Sequence, residues 1–378
     1  MPRRRYLFAG RSVRGALVVA VLLTCAGFPR AQPPATVFPG REWQRVAPAE
    51  MSGNTQARLD VLRLWLATTH TTGLVVSVGG KIWFEYGDVT HVSKVASVRK
   101  SILAMLYGKY VAQGTIDLDK TLAEIGIEDV QSFLPVEKDA TIRHVLAARS
   151  GVYLSSGNAN LTELSPRRGS QAPGTYFQYQ NWDFNVAGAV FEKLTKQDIF
   201  AALEADLARP IGMQDFDRRR QAKHSALPDS KFPEYAMYLS TRDMARVGLL
   251  MLRGGTWRGV QLIPERWCRL ITTLVTPQTD IHPRSLGETS WARRWGYGLL
   301  WWVWDAPNLP RTVTGPYQGA YTAWGAYGQY ITVLPVLDMV VAHTVAFDEA
   351  DEQKGLSIAE VKPEEYDAIL GMLVAAAP

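Results

Sequence analysis

The sequence contains very little cysteine. Its 378 residues include two cysteines, Cys25 and Cys268. Cys25 lies in an N-terminal stretch that we expect to be removed, and a single remaining cysteine cannot form an intramolecular disulfide. Cys268 follows Pro264-Glu265-Arg266-Trp267, which is typical of a helix start. We therefore expect Cys268 to be a buried packing residue.

Histidine is scarce too, and its spacing does not suit metal binding. The six histidines form neither His-x-His nor His-Glu-x-x-His. The sequence also lacks a Gly-x-Ser-x-Gly nucleophile elbow and a Walker phosphate loop. These absences argue against an α/β-hydrolase and a P-loop nucleotidase. We expect no metal and no cofactor.

The first 31 residues are predicted to be a secretory signal peptide. The apolar run Ala16 to Ala26 is too short to be interpreted as a membrane span, and small residues surround Ala31. An uncleaved anchor and a lipidated Cys25 are the alternatives, although Thr24 disfavours lipidation. We expect a periplasmic or secreted bacterial protein that contacts the membrane only if this leader is uncleaved or lipidated. The basic residues that precede the apolar run are Arg3, Arg4, Arg5, Arg11 and Arg14.

Positive charge is concentrated in this leader. It carries six arginines and no acidic residue, so its removal lowers the formal net charge of +5 by six, to −1. A nearly neutral chain has no electrostatic basis for binding nucleic acid. Nucleic acid is therefore not expected as a partner.

Hydrophobic periodicity predicts an α/β (α+β) fold. After a linker at 32–50, one domain is expected at 51–378, with an antiparallel sheet built from an N-terminal hairpin and C-terminal strands. A mostly helical lobe, roughly 97–289, is inserted between them, and the cleft between lobe and sheet is the expected active site. Helices are predicted at 52–69, 97–111, 141–150, 183–194, 199–207, 241–253 and 363–374, and strands at 74–78, 81–86, 298–304, 328–334 and 339–344.

Ser97 and Lys100 open the helix predicted at 97–111. A serine at the positive end of a helix and a lysine one turn later project from the same face. Such a pair can act as a nucleophile and its base if the lysine is desolvated enough to lose its proton near neutral pH. The motif Ser-x-x-Lys alone is weak, because an exposed serine and a solvated lysine fit it as well.

A second candidate motif is Tyr179-x-Asn181. It follows a long irregular stretch from Val152 to Gly174, a length typical of functional lids. We expect a nearby ammonium to favour the phenolate of Tyr179, which could then move a proton, while Asn181 could hold the lysine or a substrate carbonyl. A packing tyrosine and a helix-capping asparagine are the alternative. Tyr153 is a further candidate for contact with the substrate.

Together these motifs resemble those of the penicillin-recognising serine hydrolases, the superfamily of serine β-lactamases, D,D-peptidases and related esterases and amidases. Ser97-x-x-Lys100 is similar to the first motif of this superfamily and Tyr179-x-Asn181 to the class C-like form of the second. The flanks Thr141-Ile142-Arg143-His144-Val145-Leu146, Pro173-Gly174 and Leu239-Ser240-Thr241-Arg242-Asp243 fit as well. The resemblance runs from about Leu74 to Thr344. It implies a β-lactamase/transpeptidase-like fold and an acyl-enzyme on Ser97.

The third motif departs from this superfamily, which has Lys-Thr-Gly or His-x-Gly on a strand beside the serine. The matching stretch puts Ala323 in place of the cation and Trp324 in place of the hydroxyl. Gly325 still allows close approach of the substrate, and the Ala326 N–H is the expected oxyanion donor beside that of Ser97. A register shift of one residue would move this role to Tyr327. Trp324 and Tyr327 are also expected to border the substrate.

These features predict an exported serine hydrolase that cleaves an ester or amide bond in a small-molecule or peptide-like substrate. Lys100 and Tyr179 would relay the proton of Ser97. The missing cation and the Gly-x-x-Gly-Gln pattern favour the branch of 6-aminohexanoate-dimer hydrolases and carboxylesterases over β-lactamases. The alternatives are a D,D-peptidase or β-lactamase, and a non-catalytic or slowly acylated protein that binds cell-wall peptide or a β-lactam.

Overall fold

The computed structural model describes residues 37–158, 165–225, 228–282, 294–305, 315–347 and 349–377. The predicted leader at 1–31 and the first part of the predicted linker lie outside these ranges. Among the described residues, each helix is too short or too polar to cross a bilayer.

Within the described ranges, the strands form one large antiparallel sheet and three small two-stranded sheets. In chain order the strands are β1 (Gly73–Val78), β2 (Lys81–Gly87), β3 (Val92–Lys94), β4 (Ala222–His224), β5 (Glu234–Ala236), β6 (Tyr238–Ser240), β7 (Thr256–Trp257), β8 (Val260–Gln261), β9 (Trp295–Tyr297), β10 (Trp302–Trp304), β11 (Tyr321–Gly325), β12 (Gln329–Leu334) and β13 (Met339–Thr344). In the large sheet the order is β2-β1-β13-β12-β11-β10-β9, so the N-terminal hairpin pairs with the C-terminal strands, as predicted. The small sheets are β3-β6, β4-β5 and β7-β8.

Helices cover both faces of the large sheet, and the helices between Val98 and Ile271 lie in the sequence between its N-terminal hairpin and its C-terminal strands, which confirms the predicted fold class. A π-helical segment, Leu203–Ala208, joins the helix Ile199–Ala202 to the helix Arg209–Ile211. The helices are α1 (Gly53–Leu66), α2 (Val98–Ala112), α3 (Ile142–Leu146), α4 (Asn181–Thr195), α5 (Ile199–Ala202), α6 (Arg209–Ile211), α7 (Thr241–Leu252), α8 (Glu265–Ile271), α9 (Glu349–Gln353) and α10 (Pro363–Ala376).

Local signals in the sequence set several of these boundaries. Gly79 and Gly80 join β1 to β2 with φ values of 62° and 82°, as a two-residue hairpin turn with positive φ at both positions requires. Ser52 caps α1 by accepting a hydrogen bond from the Thr55 N–H, and Thr141 caps α3 in the same way. The predicted hairpin and helix starts are therefore confirmed.

Two predicted elements are wrong in extent. The strand predicted at 298–304 is confirmed only at Trp302–Trp304, because residues 298–301 form a break between β9 and β10 in which Leu300 adopts a φ of 61°. A Cβ on Gly298, at the start of this break, would lie 2.4 Å from the Ile271 carbonyl oxygen. The helix predicted at 141–150 ends at Leu146, because Ala148 adopts a φ of 56°. In both places the chain changes direction although the apolar pattern of the sequence continues, so the pattern overestimates the length of the element.

Part of the predicted linker packs on the sheet. The Val46 N–H donates to the Ile82 carbonyl at 2.9 Å, and the Ile82 N–H donates to the Gln44 carbonyl at 2.8 Å. Residues 44–46 thus pair directly with β2.

The small sheet β3-β6 and strand β11 of the large sheet position the start of α2. Strand β3 pairs with β6, and the Val95 N–H donates to the Met237 carbonyl at 2.9 Å, which ties down the chain just before α2. At the end of β11, a Cβ on Gly325 would lie 3.0 Å from the Ser97 backbone nitrogen. Glycine therefore lets β11 and the first turn of α2 touch.

Gly248 also allows α7 to pack closely against the sheet. A Cβ on Gly248 would lie 2.4 Å from Val340 Cγ1 and 2.9 Å from Ile331 Cγ2. The opposite face of β12 carries Tyr330, whose ring stacks on Tyr366 of α10 at 3.8 Å. Because adjacent residues of a strand point to opposite faces, α7 and α10 sandwich the sheet.

Replacing Gly248 with Ala is expected to destabilise the fold. Alanine improves helix propensity by about 1 kcal/mol, but overpacking a filled core costs about 1–3 kcal/mol. Urea denaturation should show a lower free energy of unfolding for Gly248→Ala. The matched control is Gly371→Ala in α10, where a Cβ meets nothing within 4 Å and stabilisation is expected. Equal effects of the two substitutions would contradict the packing argument.

Candidate active site

Ser97 lies at the N-terminal end of α2, directly after a strained residue. Ala96 adopts a φ of 45°, which is unusual for a residue with a side chain. The Ser97 hydroxyl does not cap the helix; its hydrogen-bond partner is the phenol of Tyr179. The turn therefore directs the serine out of the helix and toward the second predicted motif.

Lys100 lies one turn later and is almost fully buried, with 2% of its surface exposed. Its Nζ donates to Tyr179 Oη at 3.1 Å and to Asn181 Oδ1 at 3.0 Å. It also lies 4.4 Å from the ring centroid of Tyr179 and 4.0 Å from that of Phe184. The structure thus brings together the first and second motifs around one amine.

This environment lowers the pKa of Lys100 well below its ordinary value of 10.5. The main cause is burial, which removes the ammonium from water, and the neighbouring charge of Arg99 adds repulsion. Glu234 acts in the opposite direction. The amine is therefore easier to deprotonate than an exposed lysine, as a general base must be.

Tyr179 behaves differently from the prediction. We expected a nearby ammonium to favour the phenolate, but burial raises the pKa of Tyr179 to about 12, despite the lowering effects of Ser97 and Arg99. Its ring packs against Phe184 at 4.7 Å and Trp302 at 5.5 Å. Desolvation outweighs the nearby charges, so Tyr179 is a phenol that can pass a proton on but does not rest as phenolate.

Asn181 is the first residue of α4, and buried polar groups hold this helix start in place. Gln180 donates to the Val152 carbonyl at 2.6 Å, and Ser150 Oγ donates to Asp183 Oδ1 at 2.5 Å. Burial raises the pKa of Asp183 to about 8. These contacts connect the turn after α3 to the second motif, so Asn181 faces Lys100 instead of capping the helix.

Tyr153 is more deeply buried than its predicted role suggested. Its side chain is only 2% exposed, and burial raises its pKa. Tyr153 is not among the described residues that line the cavity beside Ser97, and residues 159–164 of its loop lie outside the described ranges, so its contact with the substrate stays a prediction. Sequence could not reveal this burial, because an irregular loop has no periodicity that separates buried from exposed side chains.

The third motif lies at the end of β11, as predicted. Gly325 contacts the start of α2, and Ala326 lines the same cavity as Ser97. Tyr327 adopts a φ of 65°, and its ring contacts Phe347 at 4.8 Å. Trp324 contacts Trp302 at 5.0 Å, and Trp302 contacts Tyr179. This arrangement favours the register in which Ala326 lies beside the serine.

The cavity beside Ser97 has a volume of about 710 Å³ and a strongly charged wall. Lys94 Nζ lies 3.5 Å from Glu234, 3.8 Å from Glu349 and 3.4 Å from Glu352. Lys223 pairs with Glu192 and Asp198 outside the lining. None of these charged residues was identified from the sequence as part of the site. The described lining consists of Lys94, Ala96, Ser97, Arg99, Asn158, Asn181, Lys223, His224, Ser225, Glu234, Ala326, Glu349 and Glu352.

The chain is similar to known proteins over most of its length. A family model described as Beta-lactamase matches residues 66–356. An uncharacterized protein of Alkalihalophilus pseudofirmus is 24% identical over 287 residues, which is 71% of this chain and 77% of that protein. Esterase EstB of Burkholderia gladioli is 32% identical over 150 residues, which is 32% of this chain and 37% of the esterase.

The fold is shared with solved structures. A putative 6-aminohexanoate-dimer hydrolase from Bacillus anthracis superposes with a TM-score of 0.57 and 17% identity, covering 84% of this chain and 81% of that one. At this identity the likeness concerns the fold. The resemblance predicted from the motifs is confirmed by the family match. The chain belongs to the Beta-lactamase family, and it is an enzyme of the serine hydrolase class.

Proposed function

We propose that the protein hydrolyses an ester or amide bond through an acyl-enzyme on Ser97, with Lys100 as the base and Tyr179 as the proton relay. The observation that carries this proposal is the buried Lys100 amine, whose Nζ lies 3.1 Å from the phenol that is hydrogen-bonded to Ser97. An amine with a lowered pKa, linked to a serine hydroxyl through one phenol, has the geometry of an activated nucleophile.

The reaction follows from this chain of contacts. Ser97 Oγ attacks the substrate carbonyl while its proton passes to Tyr179 Oη and the phenol proton passes to neutral Lys100. The N–H groups of Ser97 and Ala326 stabilise the oxyanion, and one such donor is worth about 3–4 kcal/mol in related cases. As the tetrahedral intermediate collapses, Tyr179 protonates the leaving alcohol or amine and regains a proton from Lys100. Water then attacks the acyl-enzyme by the same route.

The charges of the cavity support an ester or amide substrate that lacks a carboxylate. Each Lys and Arg side chain among the described lining residues is already paired with a carboxylate: Lys94 and Arg99 with Glu234, and Lys223 with Glu192. Ala323, which stands where the superfamily has a cation, is fully buried. A penicillin or peptide carboxylate would therefore meet cations that are already neutralised.

Replacing Ser97 with Ala should abolish both labelling by a fluorophosphonate probe and turnover of p-nitrophenyl butyrate. Loss of the nucleophile is expected to lower the rate by about a thousandfold or more. The control is Ser101→Ala in the same helix, which removes a hydroxyl that donates to the Leu300 carbonyl at 2.6 Å and should retain labelling. A wild-type protein that neither labels nor turns over would refute the catalytic assignment. A single stoichiometric burst without turnover would favour the binding-protein alternative.

The pH dependence of acylation should report the lowered pKa of Lys100. Because the neutral amine is the active form, the rate is lost as pH falls through this pKa, and the midpoint should lie well below 10.5. Stopped-flow measurement of the p-nitrophenol burst gives this profile. Lys100→Met should remove the burst, whereas Lys109→Met, whose amine pairs with Asp206, should leave the midpoint unchanged. A wild-type midpoint near 10.5 would contradict the role of Lys100.

Neutral esters should be better substrates than carboxylate-bearing ones. A charged hydrogen bond contributes about 1.5–3 kcal/mol, so the lack of an unpaired cation should lower kcat/KM about tenfold or more. We expect a higher kcat/KM for p-nitrophenyl butyrate than for nitrocefin or for the p-nitrophenyl monoester of succinate. The succinate monoester differs from the butyrate mainly by its carboxylate. A nitrocefin rate equal to the ester rate would support β-lactamase activity instead.

A further inference from the structure

Arg99 and Glu234 form a buried ion pair beneath the cavity. Arg99 Nε donates to Glu234 Oε1 at 3.2 Å, and its Nη2 donates to Asn185 Oδ1 at 3.1 Å. The guanidinium also stacks 4.2 Å from the ring centroid of Tyr235. Arg99 is 1% exposed and Glu234 8% exposed. The pair is thus held on several sides and shielded from solvent.

This pair is adjacent to the reacting groups. Arg99 lies between Ser97 and Lys100 in the first turn of α2, and both Arg99 and Glu234 line the cavity that contains Ser97. Asn185 lies one turn after Asn181 on α4. Arg99 therefore links the helix that carries the serine to the helix whose first residue binds Lys100.

Stability alone does not explain an ion pair at this position. Removing two charges from water costs several kcal/mol per ion, so a buried pair is weak evidence of stabilisation. Next to a buried amine, however, the two charges act with opposite signs, since a like charge disfavours the ammonium and an opposite charge favours it. Both residues are mostly buried, so solvent ions screen these effects less than they would at the surface.

Among the described residues, the charges that shift the pKa of Lys100 are those of Arg99 and Glu234. The titratable groups on the surrounding elements are Lys94 on β3, Tyr179 before α4, Asp183 on α4, Glu234 and Tyr235 on β5, and Tyr297 on β9. The tyrosines are kept neutral by burial, which raises their pKa values, and burial likewise raises that of Asp183. Lys94 is itself paired with Glu234.

We propose that the Arg99–Glu234 ion pair controls the charge state of Lys100, so that both residues are positioning residues for the reaction on Ser97. This inference rests on the function proposed above. It is consistent with the pKa of Lys100, which Arg99 lowers and Glu234 raises. Arg99 favours the neutral amine, which can act as a base, and Glu234 favours the ammonium.

Two single substitutions should move the acidic limb of the acylation rate in opposite directions. Arg99→Gln removes the repulsion, so Lys100 holds its proton to higher pH and the midpoint rises. Glu234→Gln removes the attraction, so the midpoint falls. A neighbouring charge shifts a buried group by about one to three pH units, and the double variant should return toward the wild-type midpoint. The measurement is the burst rate with p-nitrophenyl butyrate across pH, after thermal melting has established that each variant is folded.

Matched variants separate an electrostatic role from a structural one. Arg99→Lys retains the charge and should retain the midpoint even if the maximal rate falls. Arg253→Gln breaks an ion pair with Asp338, at the opposite end of β12 from Gly325, and should leave the midpoint unchanged. Shifts of Arg99→Gln and Glu234→Gln in the same direction, or reduced rates at an unmoved midpoint, would overturn the inference. If the wild type shows no burst, the proposed function itself has failed.

Discussion

The burial of one amine is the constraint on which the rest of the site depends. Lys100 is surrounded by two aromatic rings and is hydrogen-bonded through Nζ to a phenol and an amide oxygen. An ammonium in such surroundings is costly, because the partners supply dipoles but no full negative charge in direct contact. The amine therefore loses its proton more readily. Two segments that are far apart in the sequence, the first turn of α2 and the stretch from Tyr179 to Asn181, must meet where it lies.

The same desolvation acts on acids and bases in opposite senses. It lowers the pKa of Lys100 and raises that of Tyr179, so at neutral pH both groups tend toward their uncharged forms. A neutral amine beside a neutral phenol is suited to passing a proton along a short path without leaving a charge stranded in the interior. The charged groups of the cavity are instead paired with one another at its wall, where Lys94 contacts three carboxylates.

The family match and the fold describe a scaffold, and the chemistry belongs to particular side chains on it. The end of β11 approaches Ser97 as the superfamily requires, since Gly325 leaves room for close contact. Where the superfamily has a cation, this chain has the buried Ala323, and the basic residues of the cavity come from β3, β4 and α2. In the function proposed above, one fold thus keeps its nucleophile and base while the charges that meet the substrate change.

The sequence by itself determined what depends on neighbouring residues. The Gly79-Gly80 turn, the Ser52 cap and the spacing of Ser97 and Lys100 are local, so pattern and propensity were enough to predict them. Only the tertiary structure decided the rest. Arg99 and Glu234 are separated by 135 positions. Tyr153 is buried within a loop that has no periodicity. At Gly298 the Ile271 carbonyl lies so close that a side chain would not fit. The pKa of Tyr179 belongs with these features, because desolvation depends on every atom that excludes water from the phenol, and no local pattern contains them.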